Sequence, residues 1–254
     1  MRNINLKKEF EKILINNKYY LEYNRAKKIN YKNYYNKPID PDGKVRNLIK
    51  EEKYRLSQLK VITNFLKKNL IIKKRKILDV GCGFGWLLKN LDNRYWNKFG
   101  IEINEKAREV ARKNKIKIFN SLKSLNNHKF DVISLVHVIE HMSNPVDDLK
   151  SLIKNIKNKG YLIIETPDFD CAMARRYNTN FRLLHDKTHI SLFSSESLMR
   201  LIRDCDLKII KIEYPFFEGP FFMKKHILQI FNNNKKLLSP PFYGSVVTIF
   251  AQKK

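Results

Sequence analysis

The segment Lys76-Ile77-Leu78-Asp79-Val80-Gly81-Cys82-Gly83-Phe84-Gly85 constrains the fold of this 254-residue chain more than any other. Ile77, Leu78 and Val80 form a short apolar run of the kind that fills a strand buried on both faces. The run then breaks into Gly81, Gly83 and Gly85. Glycine at such a break lets the chain turn sharply and lets a ligand approach main-chain atoms with no Cβ in the way. A second apolar run, Phe99-Gly100-Ile101-Glu102-Ile103, places Glu102 near the tip of the next strand, 21 residues after Gly81. An acid at that distance suits the two hydroxyls of a ribose. Strand, glycine turn, helix, strand and acid predict a nucleoside-binding half-fold.

A dinucleotide fingerprint needs a third glycine at the sixth position of the loop, and Trp86 stands there instead. Asp79 also puts negative charge beside the loop, which repels a pyrophosphate and suits a cationic ligand. Leu78-Asp79-Val80-Gly81-Cys82-Gly83-Phe84-Gly85 resembles the first motif of the class I S-adenosylmethionine-dependent methyltransferases. The resemblance continues through Phe130-Asp131-Val132-Ile133-Ser134-Leu135, the segment Val138-Ile139-Glu140-His141-Met142, and Gly160–Pro167. It implies S-adenosyl-L-methionine as cofactor. Asp79 is then expected to support its amino-acid end, with Gly81, Cys82, Gly83 and Gly85 lining it. Glu102 is expected on the ribose hydroxyls, Ile103 and Val136 against the bound group, and Asn120, Ser121 and Leu122 at the adenine edge.

The expected fold is a three-layer α/β Rossmann-like sandwich: a seven-stranded, mostly parallel sheet whose last strand is antiparallel. Residues 1–45 read as a polar, tyrosine-rich extension, its tyrosines pinning a short helix onto the core or, interleaved with Lys and Arg, stacking on bases or sugar rings, and 46–254 as the methyltransferase domain. Apolar positions between Leu48 and Leu70 repeat at helical spacing, predicting an amphipathic helix over 46–70. Leu207–Tyr214 and Ser245–Ala251 read as the last two strands, antiparallel neighbours at one edge. The insertion between them, 215–244, is expected to cover the site or touch the substrate, or to lay a helix over 221–231 on a membrane surface.

Methyl transfer from a sulfonium needs a cofactor cradle, good positioning and a proton acceptor. Imidazole titrates near neutral pH, so His141, His189 and His137 are the candidate bases, in that order. His137, Glu140 and His141 with a later histidine also resemble the metal site of small-RNA terminal ribose 2′-O-methyltransferases, with His137 in place of a glutamate. No residue is assigned to a metal. The expected acceptor is a sugar, surface-glycan or other small-molecule hydroxyl. The alternatives are a metal-assisted RNA 2′-O-methyltransferase and a non-catalytic cofactor-binding partner subunit.

The formal charge of +26 invites a polyanionic partner, either nucleic acid or an anionic membrane surface. A general abundance of Lys, Asn and Ile explains the same charge without a dedicated patch, so nucleic acid is the less favoured partner. Cys82, Cys171 and Cys205 are scattered and form no C-x-x-C pair. With no apolar run near the roughly 20 residues needed to cross a bilayer, the expected setting is the reducing cytoplasm. The oligomeric state stays open.

Overall fold

A computed structural model describes residues 15–16, 18–23, 45, 51–70, 73–214, 224–231, 238–240 and 245–254. The described strands are β1 (Ile15–Asn16), β2 (Leu21–Glu22), β3 (Arg75–Val80), β4 (Trp96–Ile101) and β5 (Lys117–Phe119), followed by β6 (Phe130–Val136) and β7 (Ile156–Pro167). Then come β8 (Ser191–Leu192), β9 (Leu207–Glu213) and β10 (Val246–Lys253). Seven of them form one sheet in the order β5-β4-β3-β6-β7-β10-β9. The β3, β4, β5, β6 and β7 pairings are parallel, and β10 runs antiparallel to both β7 and β9. Order reverses between β3 and β6, and a crevice opens at such a switch outside the carboxyl ends of the strands.

Alternation along β3 explains why the sheet is covered on both faces. Ile77 packs into one apolar cluster with Ile62, Leu66, Val132 and Phe250, while its neighbour Leu78 packs into another with Ile133, Ile164, Leu198 and Ile249. Helices α1 (Glu52–Gln58) and α2 (Lys60–Leu70) occupy the stretch expected to be helical, separated at Leu59. Residues 46–50 lie outside the described residues. Phe65 of α2 stacks on Phe250 with ring centroids 4.3 Å apart, which seats this helix on the sheet.

After β3, α3 (Trp86–Lys89) and α4 (Glu105–Lys113) follow the glycine loop and β4. Helix α5 (Pro145–Lys154) precedes β7 and buries Leu149 and Leu152 on the other face. Ser194 caps α7 (Ser195–Asp204), its Oγ accepting from Ser197 N at 3.1 Å. The short helix ahead of it is α6 (Ala172–Tyr177).

The N-terminal extension departs from expectation where it is described. Tyr19, Tyr20 and Tyr23 are buried, but β1 and β2 form a hairpin that pairs with β8, so a strand rather than a helix holds them down. Tyr20 lies 5.4 Å from Phe193 between ring centroids. Tyr31, Tyr34 and Tyr35 lie outside the described residues. In the insertion, α8 (Lys224–Phe231) leans on α6: Tyr177 Oη donates to Gln229 O at 3.2 Å, and Arg176 Nη2 to Ile230 O at 2.5 Å. Leu228 and Phe231 point outward, 73% and 79% exposed. No helix among the described residues is long and apolar enough to cross a membrane.

Candidate active site

A cleft of about 360 Å³ opens at the carboxyl ends of β3, β4, β6 and β7. That falls in the roughly 300–1,000 Å³ range of small-ligand sites. Its floor is the glycine loop. Gly81 has φ +66°, and a Cβ added there would stand 2.6 Å from Val138 Cγ2, so only glycine fits beneath the turn after β6. Gly83 N donates to Glu102 Oε2 at 2.9 Å, tying the loop to the tip of β4.

Glu102 is buried, and its other oxygen accepts from Asn104 N at 2.7 Å. Each carboxylate oxygen has a second lone pair, so both can still accept from a ligand diol. Burial pushes the Glu102 carboxyl above its ordinary range, against the pull of these backbone N–H groups. Asp79 is also buried and accepts from Ser134 Oγ at 2.7 Å. Burial raises its carboxyl to about 7, and the Ser134 hydroxyl opposes that shift. An acid so short of compensation is a seat for a cation.

Among the wall residues that sequence reasoning missed are two polar ones on α1. Arg55 and Gln58 of α1 line the cleft, Arg55 Nη1 donating to Gln58 Oε1 at 3.3 Å. Gln58 Nε2 is buried with no hydrogen-bond partner among the described residues. A buried donor left unpaired costs about 1–3 kcal/mol, and a ligand oxygen would recover it. The signal was present: Arg55 and Gln58 sit at i, i+3 on a stretch read only for its apolar positions.

Of the expected cofactor residues, Asp79, Gly81, Cys82, Gly83, Glu102, Ile103 and Val136 line the cleft. Ile103 is 46% exposed on its rim, a suitable face for a flat ring. Gly85 does not line it. A Cβ there would stand 2.3 Å from Ile116 Cδ1, so this glycine serves the packing of the loop against the end of α4. Asn120 and Ser121 are exposed and Leu122 half-buried; none of the three lines the cleft. Asn120 Oδ1 instead accepts from Arg108 Nη1 at 2.9 Å.

The three histidines separate. His141 lines the cleft, and its Nδ1 lies 2.8 Å from Thr188 O. A carbonyl only accepts, so Nδ1 carries the proton and Nε2 is the basic nitrogen. His189 lies behind it, buried, with ring centroids 5.0 Å apart and Nδ1 donating to Leu183 O at 2.6 Å. Burial lowers the His189 pKa, against the opposing pull of the Asp186 carboxylate. The ring does not reach the cleft. His137 lines the cleft but turns both ring nitrogens toward carboxylates, Glu140 at 3.3 Å and Glu165 at 3.6 Å.

Glu140, His141 and His189 each offer a donor atom, all within 4.8 Å of one another. With both imidazoles held through Nδ1 by backbone carbonyls, the set has the outer-shell support common around metal-bound histidine. Burial alone would push Glu140 up; the imidazoles around it outweigh burial and hold its carboxyl down at about 2. It is therefore an anion that could receive a divalent cation.

The profile of the methyltransferase domain family matches residues 50–212. Among curated proteins, the ubiquinone biosynthesis O-methyltransferase of Rickettsia bellii is 36% identical over 122 residues, 41% of this chain and 50% of that protein. The corresponding protein of Pelagibacter ubique is 31% identical over 139 residues, 50% of this chain and 58% of that one. The chain thus spans about half the length of the curated relatives it matches. Among solved structures, a SAM-dependent methyltransferase from Thermotoga maritima superimposes with a TM-score of 0.59 at 20% identity, covering 88% of this chain and 98% of that one. Magnesium protoporphyrin IX methyltransferase from Synechocystis, crystallised with bound SAH, gives 0.59 at 14% identity, covering 82% and 89%. These last two likenesses concern the fold. By its matched profile, its sheet order and its glycine loop, the chain belongs to the methyltransferase domain family, in its class I S-adenosylmethionine-dependent form.

Proposed function

We propose that this chain is an S-adenosylmethionine-dependent O-methyltransferase acting on a small-molecule hydroxyl, with a sugar or glycan unit as our first candidate. The carrying observation is His141: it stands at the cleft with its tautomer set by Thr188 O, so that Nε2 can receive a hydroxyl proton. The cofactor supplies an electrophilic methyl on a sulfonium. The chain's own residues do the rest. Asp79 would balance the ligand's cationic amine, Gln58 Nε2 and Arg55 would take its carboxylate, and Glu102 would accept from the ribose hydroxyls. His141 takes the acceptor's proton at Nε2. Holding two reactants in a near-attack geometry is worth about 7–11 kcal/mol, so little else is required. The names of the O-methyltransferase relatives support oxygen as the atom methylated.

The outward Leu228 and Phe231 of α8 suit an acceptor presented on a lipid surface. The convergence of Glu140, His141 and His189 favours a second reading, metal-assisted transfer to an RNA 2′-hydroxyl. A radiolabelled methyl-transfer screen over glycan, quinone and RNA pools separates the readings. Label is expected in a small-molecule pool, insensitive to chelator. Chelator-sensitive label in RNA, with binding that collapses between low and moderate salt as phosphate contacts require, would overturn the preference.

The state of Asp79 gives a pH prediction. Its carboxyl titrates near 7 in the empty site, and only the ionised form pairs with the ligand's amine. Binding therefore expels a proton below that pH. Affinity for S-adenosylhomocysteine, which keeps the amine, should be flat above pH 8 and fall toward roughly tenfold per pH unit below 7, the slope for one linked proton. Calorimetry between pH 5.5 and 8.5 checks this, and Asp79→Asn should flatten the profile.

A further inference from the structure

The turn that joins β6 to the 3-10 turn Ile139–His141 is held in an unusual way. His137 has φ +53°, in the left-handed region that histidine enters more readily than most residues with a Cβ. Contacts around the ring hold the turn in this form. The contacts are two buried glutamates on either side of one imidazole. His137 Nδ1 lies within hydrogen-bond reach of Glu140 Oε1 at 3.3 Å, and Nε2, which has no hydrogen-bond partner among the described residues, lies at ion-pair distance, 3.6 Å, from Glu165 Oε1. Each glutamate is anchored at its far oxygen: Thr166 Oγ1 donates to Glu140 Oε2 at 2.8 Å, and Thr248 Oγ1 to Glu165 Oε2 at 2.6 Å. His137 N also donates to Glu165 O at 2.8 Å. The turn is therefore bolted to the last residues of β7 and to β10. It carries Val138, which rests against Gly81 of the glycine loop, and His141 at the cleft.

We propose that Glu165 is a positioning residue that acts through His137: together with Glu140 it clamps the imidazole, and the clamp sets the turn that seats the cofactor loop and presents His141. This role rests on the reading above. It assigns a task to a buried acid at the cleft wall that a merely structural strand end would not need. A buried carboxylate is costly, and an apolar side chain would close the wall at lower cost if nothing had to be held.

Calorimetry with S-adenosylhomocysteine tests the clamp through a double-mutant cycle on the full chain. Glu165→Ala should weaken binding about tenfold, within the range for coupled neighbours. His137→Asn, which tolerates a left-handed backbone, should weaken it by a similar factor. In the His137→Asn background, Glu165→Ala should cost less than about twofold, because the residue it acts through is gone. An equal loss in both backgrounds would show that Glu165 acts on the ligand directly and would overturn the proposal, as would no loss in the single variant. If Glu165→Ala lowers Tm enough to compromise folding, Glu165→Gln runs the same cycle: it preserves volume and removes the charge. The cycle reads ligand binding alone. A chain that binds the probe yet methylates no hydroxyl sinks the acceptor reading and leaves the clamp to be judged on its own.

Discussion

Replacing His141 with alanine is expected to lower kcat by roughly 10²–10⁴, the contribution of a positioned general base, while leaving affinity for the cofactor nearly unchanged. The reason is geometric. His141 is the histidine that lines the cleft with its Nδ1 committed to a carbonyl, Thr188 O. His189→Ala should cost much less in kcat, because its ring lies behind His141 and its Nδ1 is spent on Leu183 O. If the Glu140–His141–His189 set serves a cation instead, both variants should fall together and a chelator should reproduce the loss in the unmodified chain. Steady-state kinetics on the two variants, with and without chelator, decides between a base and a ligand. Full activity in both would mean that transfer proceeds by positioning alone.

Glu102→Ala is expected to weaken cofactor binding by about 1.5–3 kcal/mol, the range for hydrogen bonds to a charged group. Two losses combine in this estimate. The ribose loses its acceptor, and the loop loses its tie, because Gly83 N donates to the same carboxylate. Glu102→Gln separates them: it keeps an oxygen for one backbone donor and gives up the charge. It should therefore fall between the parent and the alanine variant.

Much of this site was legible in the sequence because its signals are local. The apolar run into Gly81 and Gly83 determines β3 and its loop, and Glu102 follows at the tip of β4 because a strand-loop-helix-strand unit has a nearly fixed length. The antiparallel pairing of β9 with β10 followed from two β-branched runs across a long insertion. What was not legible depends on tertiary approach. Gly85 looks like its two neighbours in sequence, yet its missing side chain is required by Ile116 and not by a ligand. His141 and His189 are equivalent as letters; the fold puts one at the cleft and the other behind it. The pairing of β2 with β8 spans most of the chain and leaves no periodic trace in segments of two residues. Arg55 and Gln58 become site residues only when the fold brings α1 to the wall of the crevice.

In the proposed reading, this cleft takes a nucleoside that carries a cationic amine, with Asp79 facing the amine and Glu102 the ribose. Side-by-side calorimetric titration of the intact chain with S-adenosylhomocysteine and with NAD tests it most directly. Saturable binding of S-adenosylhomocysteine at one site, weakened about 10- to 150-fold by Glu102→Ala, and no binding of NAD are expected. Tight binding of NAD with none of S-adenosylhomocysteine would contradict it.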